Sequence, residues 1–111
     1  MTTIAIDLDR AGEIILNVNG HCEHDVCVSI SALVNSFFQY AKDFESKDKC
    51  VTVTNLYEYG NVDLLLRFYS ISDKQNFIRG IDAILTGFEL YQENFKDEVK
   101  FIKNHLPRGD I

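Results

Sequence analysis

The sequence predicts an α+β fold: a two-layer sandwich whose antiparallel-hairpin sheet is covered on one face by two helices. Three observations lead there. Two pairs of strand-like segments each flank a short Gly-containing turn, two longer stretches carry apolar residues at helical spacing, and the order is β-β-α-β-β-α. Two apolar helix stripes need one apolar sheet face to bury against, and hairpins supply it. The 111 residues are expected to form one domain, 1–111, because smaller pieces would bury too little apolar surface.

Thr3 to Asp9 alternates, with Ile4, Ile6 and Leu8 on one face and Thr3, Ala5, Asp7 and Asp9 on the other. That is the pattern of a half-buried strand. Arg10-Ala11-Gly12-Glu13 supplies a turn, and Ile14, Leu16 and Val18 then alternate with Ile15, Asn17 and Asn19 as the returning strand. After Asn19-Gly20 the period changes. Cys27, Ile30, Val34, Phe37, Phe38, Ala41 and Phe44, with Leu33 beside them, predict one helix from about Val26 to Phe44. The polar run from Glu45 to Lys49 ends it.

A second hairpin follows, with Val51, Val53, Tyr57 and Tyr59 in one strand, Gly60-Asn61 as the turn, and Val62, Leu64, Leu66 and Phe68 in the next. Leu65 and Tyr69 fall on the opposite face, which predicts that this face is not wholly solvated. Ser72-Asp73-Lys74-Gln75 has capping-box spacing and opens a helix carrying Phe77, Ile78, Ile81, Ile84, Leu85, Phe88, Tyr91 and Phe95. Gly80, Ala83 and Gly87 form a strip of small residues where a neighbouring backbone is expected to approach. Glu98 to Ile102 is a candidate last strand, with charges between its apolar residues.

Acids outnumber bases, 17 to 11, and the net charge of −6 argues against nucleic acid or an anionic membrane as the main partner. A basic protein or peptide would be attracted instead. No apolar run reaches the roughly 18 residues that a membrane span needs. The opening Met1–Asp7 lacks the basic flank and long apolar stretch of a signal peptide. Three cysteines, an odd number, fit reduced thiols in a cytoplasmic protein better than a disulfide framework.

The chemistry concentrates in Gly20-His21-Cys22-Glu23-His24-Asp25-Val26-Cys27, between a strand and a helix. Cys27 falls in the first helical turn, where unpaired N–H groups and the helix dipole favour a thiolate. His21, across a short loop, is placed to share the thiol proton, and a Cys–His pair is the minimum for an activated thiol nucleophile. Packing competes with this reading, since Cys27 lies on the stripe with Ile30 and Val34 and structural cysteines are common there. Zinc is a third option, because His21, Cys22, His24 and Cys27 are all competent ligands. They crowd into one loop without a second ligand pair elsewhere, so neither a metal nor a cofactor is expected.

Gly20-His21, a loop, and Val26-Cys27-Val28-Ser29-Ile30-Ser31-Ala32-Leu33 resemble the signature of the ribosomal-processing cysteine proteases: Gly-His, a loop, then Asp-Ile-Val-Cys-Ala-Ala-Val-Ser-Ala-Leu. The similarity extends through both hairpins to the late stretch from Gly87-Phe88 through Tyr91 and Phe95 to Val99-Lys100-Phe101. It implies a two-layer, cytosolic, commonly dimeric enzyme that removes a short N-terminal extension from a bacterial large-subunit ribosomal protein. By position, Cys27 matches the nucleophile, His21 its base, Gly20 the preceding glycine and Ser31 the helix serine. The His21–Cys27 loop is about half the family length. His24 stands where the family has Asp, with Asp25 one place later as its candidate substitute.

If active, the Cys27 thiolate would attack a peptide carbonyl, amides near Val28 and Ser29 would hold the oxyanion, and His21 would protonate the leaving amine. The alternative is an inactive or divergent dimer that grips a protein tail without cutting it.

Overall fold

The computed structural model describes residues 1–58 and 61–105. Its strands are β1 (Thr2–Asp7), β2 (Glu13–Gly20), β3 (Cys50–Glu58), β4 (Asn61–Phe68) and β5 (Val99–Asn104). The helices are α1 (His24–Ser46), α2 (Ile71–Gly80) and α3 (Asp82–Asn94), giving the order β-β-α-β-β-α-α-β. Tyr59 and Gly60, which carry part of the expected second turn, lie outside the described residues.

The sheet order is β3-β4-β2-β1-β5. Four strands pair antiparallel as the hairpin pattern requires, and β5 pairs parallel to β1, with Thr2 opposite Val99 and Asp7 opposite Asn104. The sheet is therefore mixed at one edge, beyond the hairpins expected from sequence. Alternation places Ile4, Ile6, Leu8, Ile14, Leu16, Val18, Val62, Leu64, Leu66, Phe68, Val99 and Phe101 in one buried cluster with the helix residues. The shortest dimension of the molecule is 18 Å, room for one sheet and one helix layer.

The outer face of the sheet is laddered by cross-strand pairs between β2 and β4. Glu13 meets Arg67 at 2.8 Å, half-buried Ile15 sits opposite half-buried Leu65, and Asn17 Nδ2 donates to Asp63 at 2.9 Å. Such pairs contribute roughly 0.2–1 kcal/mol each. Hydrogen bonds from Arg67, then Arg10, hold the Glu13 carboxyl below its usual range. The expectation of a partly covered second face holds for Leu65, whereas Tyr69 lies past the end of β4 and is exposed.

Four details depart from the sequence reading. The second helical stretch is two helices, interrupted at fully buried Ile81 (φ −90°, ψ 2°). Ile81 sits on the apolar stripe, so periodicity does not reveal the break; Gly80 before it loosens the helix. Gly80 itself is required because the Tyr40 ring of α1 occupies the space of a Cβ, while Gly87 faces the Leu33 side chain. The small residues thus admit side chains of α1, not a backbone, and Ala83 is exposed. The cap is also displaced: Ser70, not Ser72, accepts from the Asp73 N–H at 3.0 Å. Finally, β3 carries a bulge between Thr52 and Thr54, which turns Val53 outward and breaks its expected alternation with Val51.

Phe77 ties the layers together. Its ring lies 5.5 Å from Phe37, 5.1 Å from Phe44, 5.1 Å from Tyr40 and 5.2 Å from Phe68. This cluster fixes the far half of α1 on the sheet, leaving the start of α1 at the opposite end, beside the close of β2.

Candidate active site

β2 delivers its last residue, Gly20, opposite Thr2 of β1. Gly20 has φ +95°, and a Cβ there would overlap the Met1 carbonyl oxygen. Only glycine satisfies both conditions without strain. The chain leaves the sheet at this residue, and His21 follows at once on the surface. The connection to α1 is very short. Glu23 is the N-cap and His24 begins the helix, so three of the five residues between His21 and Cys27 are already helical.

Cys27 is half-buried, and its N–H donates to the Glu23 carbonyl at 2.8 Å, closing the first turn. The Glu23 side chain makes no cap; instead its own N–H donates to Glu98 Oε2 at 2.7 Å. Glu98, just before β5, thereby ties the start of α1 to the sheet edge. The oxyanion donors expected from sequence need correcting. Val28 and Ser29 follow Cys27 inside α1, where N–H groups serve the helix ladder. The amides that an α-helix leaves without an intrahelical acceptor are here those of His24, Asp25 and Val26. Side chains in a helix tilt toward its N-terminus, which carries the Cys27 sulfur in the direction of those amides.

Cys27, His21, Gly20 and Ser31 line one cleft of about 120 Å³. Thr2, Tyr57, Glu58 and Asn61 complete its polar wall, and Val18, Ile30, Val34 and Val62 its apolar floor. Tyr57 is braced by Phe38, with ring centroids 5.6 Å apart. Asp25 and His24 are exposed and do not line the cleft; the Asp25 carbonyl accepts from the Ser29 hydroxyl at 3.1 Å. The polar cleft residues missed by the sequence reading, Thr2, Tyr57, Glu58 and Asn61, come from β1, β3 and β4, and no sequence spacing links them to His21 or Cys27. Sheet order alone brings them together.

Cys22 lies outside the cleft lining and packs against the core. Burial pushes its thiol up, the Thr2 hydroxyl acts the other way, and Cys27 and Glu98 reinforce the rise. Thr2 Oγ1 is buried without a hydrogen bond of ordinary geometry, so its effect on Cys22 is that of a close, poorly aligned neighbour. Among the described residues, no group of three or more His, Cys, Asp and Glu side chains is arranged to hold a metal ion.

A larger hollow of about 670 Å³ lies at the other end of the sheet, between the β1–β2 turn and α2. It contains no thiol, and its histidine, His105, is engaged with Asp9 at 3.3 Å. Size notwithstanding, it is the smaller cleft whose lining holds both a thiol, Cys27, and an imidazole, His21.

No family model matches the chain, and no curated protein matches it either. Solved structures do. The S. aureus ribosomal processing protease Prp in complex with a substrate peptide superposes with a TM-score of 0.64 at 14% identity, covering 94% of this chain and 100% of that one. Prp with a covalently linked product peptide gives 0.62 at 15% identity over the same shares. SMU.848 from Streptococcus mutans gives 0.59 at 18% identity, covering 94% of this chain and 96% of that one. At these identities the likeness is one of fold.

Proposed function

We propose that this chain is a cysteine endopeptidase that removes a short N-terminal extension from a bacterial large-subunit ribosomal protein. The observation that carries this reading is the shared cleft of Cys27 and His21, placed at a helix start by Gly20. The fold likeness to a ribosomal processing protease supports it. The Cys27 thiolate attacks the scissile carbonyl carbon, and the helix-start amides of Asp25 and Val26 receive the negative oxygen. His21 then protonates the leaving amine, and a water molecule hydrolyses the thioester to free Cys27. Ser31, one turn beyond Cys27, keeps that wall of the cleft small and polar.

An acidic, cytoplasmic enzyme suits a basic ribosomal-protein arm, and a homodimer belongs to the same reading, measurable by light scattering. The chemical test is incubation with a peptide spanning the extension and its junction. The parent should cut it, and Cys27→Ala and His21→Ala should each lower kcat/KM by about 10²–10⁴-fold. Full cleavage in either variant removes that residue from the chemistry. Binding without cleavage by the parent would favour the protein-gripping alternative.

A further inference from the structure

The start of α1 carries a feature that peptide cleavage does not use. With Glu23 as the N-cap, Cys22 is the residue before the cap and Cys27 the fourth helical residue. These two positions are those whose side chains pack together across a helix start, as in a hydrophobic staple. Here both are cysteines, and the Cys27 side chain is near enough to reinforce the rise of the Cys22 thiol. Neither is in a disulfide, and each is half-buried and still reachable from solvent. Cys50, the third thiol, is buried beneath α1 with its Sγ 3.8 Å from the Ala41 carbonyl oxygen, away from the pair.

From this geometry we infer that Cys22 and Cys27 form a peroxide-reactive dithiol, in which Cys27 is oxidised first and Cys22 closes a reversible intramolecular disulfide. Cys27 is the attacking sulfur because it lines the cleft at the helix start, whereas Cys22 is packed behind it. The Cys27 thiolate attacks one oxygen of a hydroperoxide. An S–O bond forms, the O–O bond breaks, and the alkoxide or hydroxide leaves with the electron pair and takes a proton, giving a sulfenic acid at Cys27. The Cys22 sulfur then attacks the Cys27 sulfur. The S–S bond forms, the S–O bond breaks, and the departing hydroxide takes the Cys22 proton as water. Two thiols and one hydroperoxide become a disulfide, an alcohol (water for hydrogen peroxide) and a water molecule.

Placement at the two staple positions of the helix start spares the pair a large rearrangement, since a disulfide requires Cβ atoms about 4 Å apart. Burial of the Cys22 thiol, which pushes it up, makes the closing step faster as pH rises. This chemistry stands whether or not the cleft cuts peptides. Its consequence alone, reversible silencing of a nucleophile by peroxide, rests on the proposed function.

The test treats the full chain with hydrogen peroxide, blocks remaining thiols with iodoacetamide and reads tryptic masses. The peptide Ala11–Lys42 contains both Cys22 and Cys27 and excludes Cys50. It should lose two hydrogens and resist alkylation, and dithiothreitol should restore both thiols. In Cys22→Ser, dimedone should trap Cys27 as a sulfenic acid, and excess peroxide should carry it to the sulfinic state, lowering the dithiothreitol-recoverable fraction by about tenfold. A parent protein whose Cys27 passes to sulfinic acid without that mass loss would overturn the inference. So would a disulfide through Cys50 or between chains, or peroxide recovery in Cys22→Ser equal to the parent. The parent measurement decides the matter even if the variant folds poorly.

Discussion

At the scale of single residues, Gly20 is the most constrained position near the cleft. Gly20→Ala must both hold φ +95° and displace the Met1 backbone, so it should cost at least about 1–3 kcal/mol in urea unfolding. A wild-type midpoint in that variant would show that the turn into His21 tolerates a side chain. Cys50 offers a pH measurement. Burial, assisted by Glu45 and Asp73, pushes its thiol from the ordinary 9.0 up to about 11. The folded chain therefore holds this proton where the unfolded chain has lost it. The associated stability is complete below pH 9 and is lost as pH rises through about 11. Parent and Cys50→Ala should accordingly converge in stability across that interval in alkaline urea titrations. His21 and Cys27 were legible in the sequence as a spaced pair with a family resemblance. The staple placement of Cys22 and Cys27 was not, because Glu23 is not the Ser, Thr, Asp or Asn that marks a helix start, and the cap position decides which residues face each other.

Elements show a similar division between what pattern reveals and what packing decides. Clean alternation in Thr3–Asp9 and in Val62–Phe68 found β1 and β4, since each buries one face against the helices. The second helix was harder. Ser70 and Ser72 stand two apart, and each begins an acceptable capping sequence, so spacing could not rank them; the end of β4 places Ser70 over the Asp73 amide. Ser70→Ala should lower stability by about 1 kcal/mol and Ser72→Ala by much less, measured by thermal unfolding. Equal losses would put the cap elsewhere. The β3 bulge at Val53 is not legible in the sequence because an inserted residue leaves no compositional mark. β5 was only a candidate because Lys100 and Lys103 interrupt its apolar residues, which is what an exposed edge strand requires.

For the whole molecule, the order of elements was readable because two hairpins and two helix stripes admit few layered arrangements. The assembly of the cleft from β1, β2, β3, β4 and α1 was not, because it depends on which strands become neighbours. Net charge acts at this scale as well. With a charge of −6, the KM for a basic peptide should rise several-fold from low to high salt while kcat stays constant, as steady-state kinetics would register. A salt-independent KM would assign recognition to the apolar floor instead. One further consequence lies in the parallel seam between β1 and β5. Asn104 donates to the Asp7 carboxylate across 97 positions of chain, and the Leu8 N–H reaches the Asn104 carbonyl at 2.9 Å. During synthesis, β1 must therefore wait beside an empty berth until residue 104 clears the exit tunnel. A nascent chain stalled before that point presents a bare strand margin to its neighbours, the condition in which holding chaperones earn their keep.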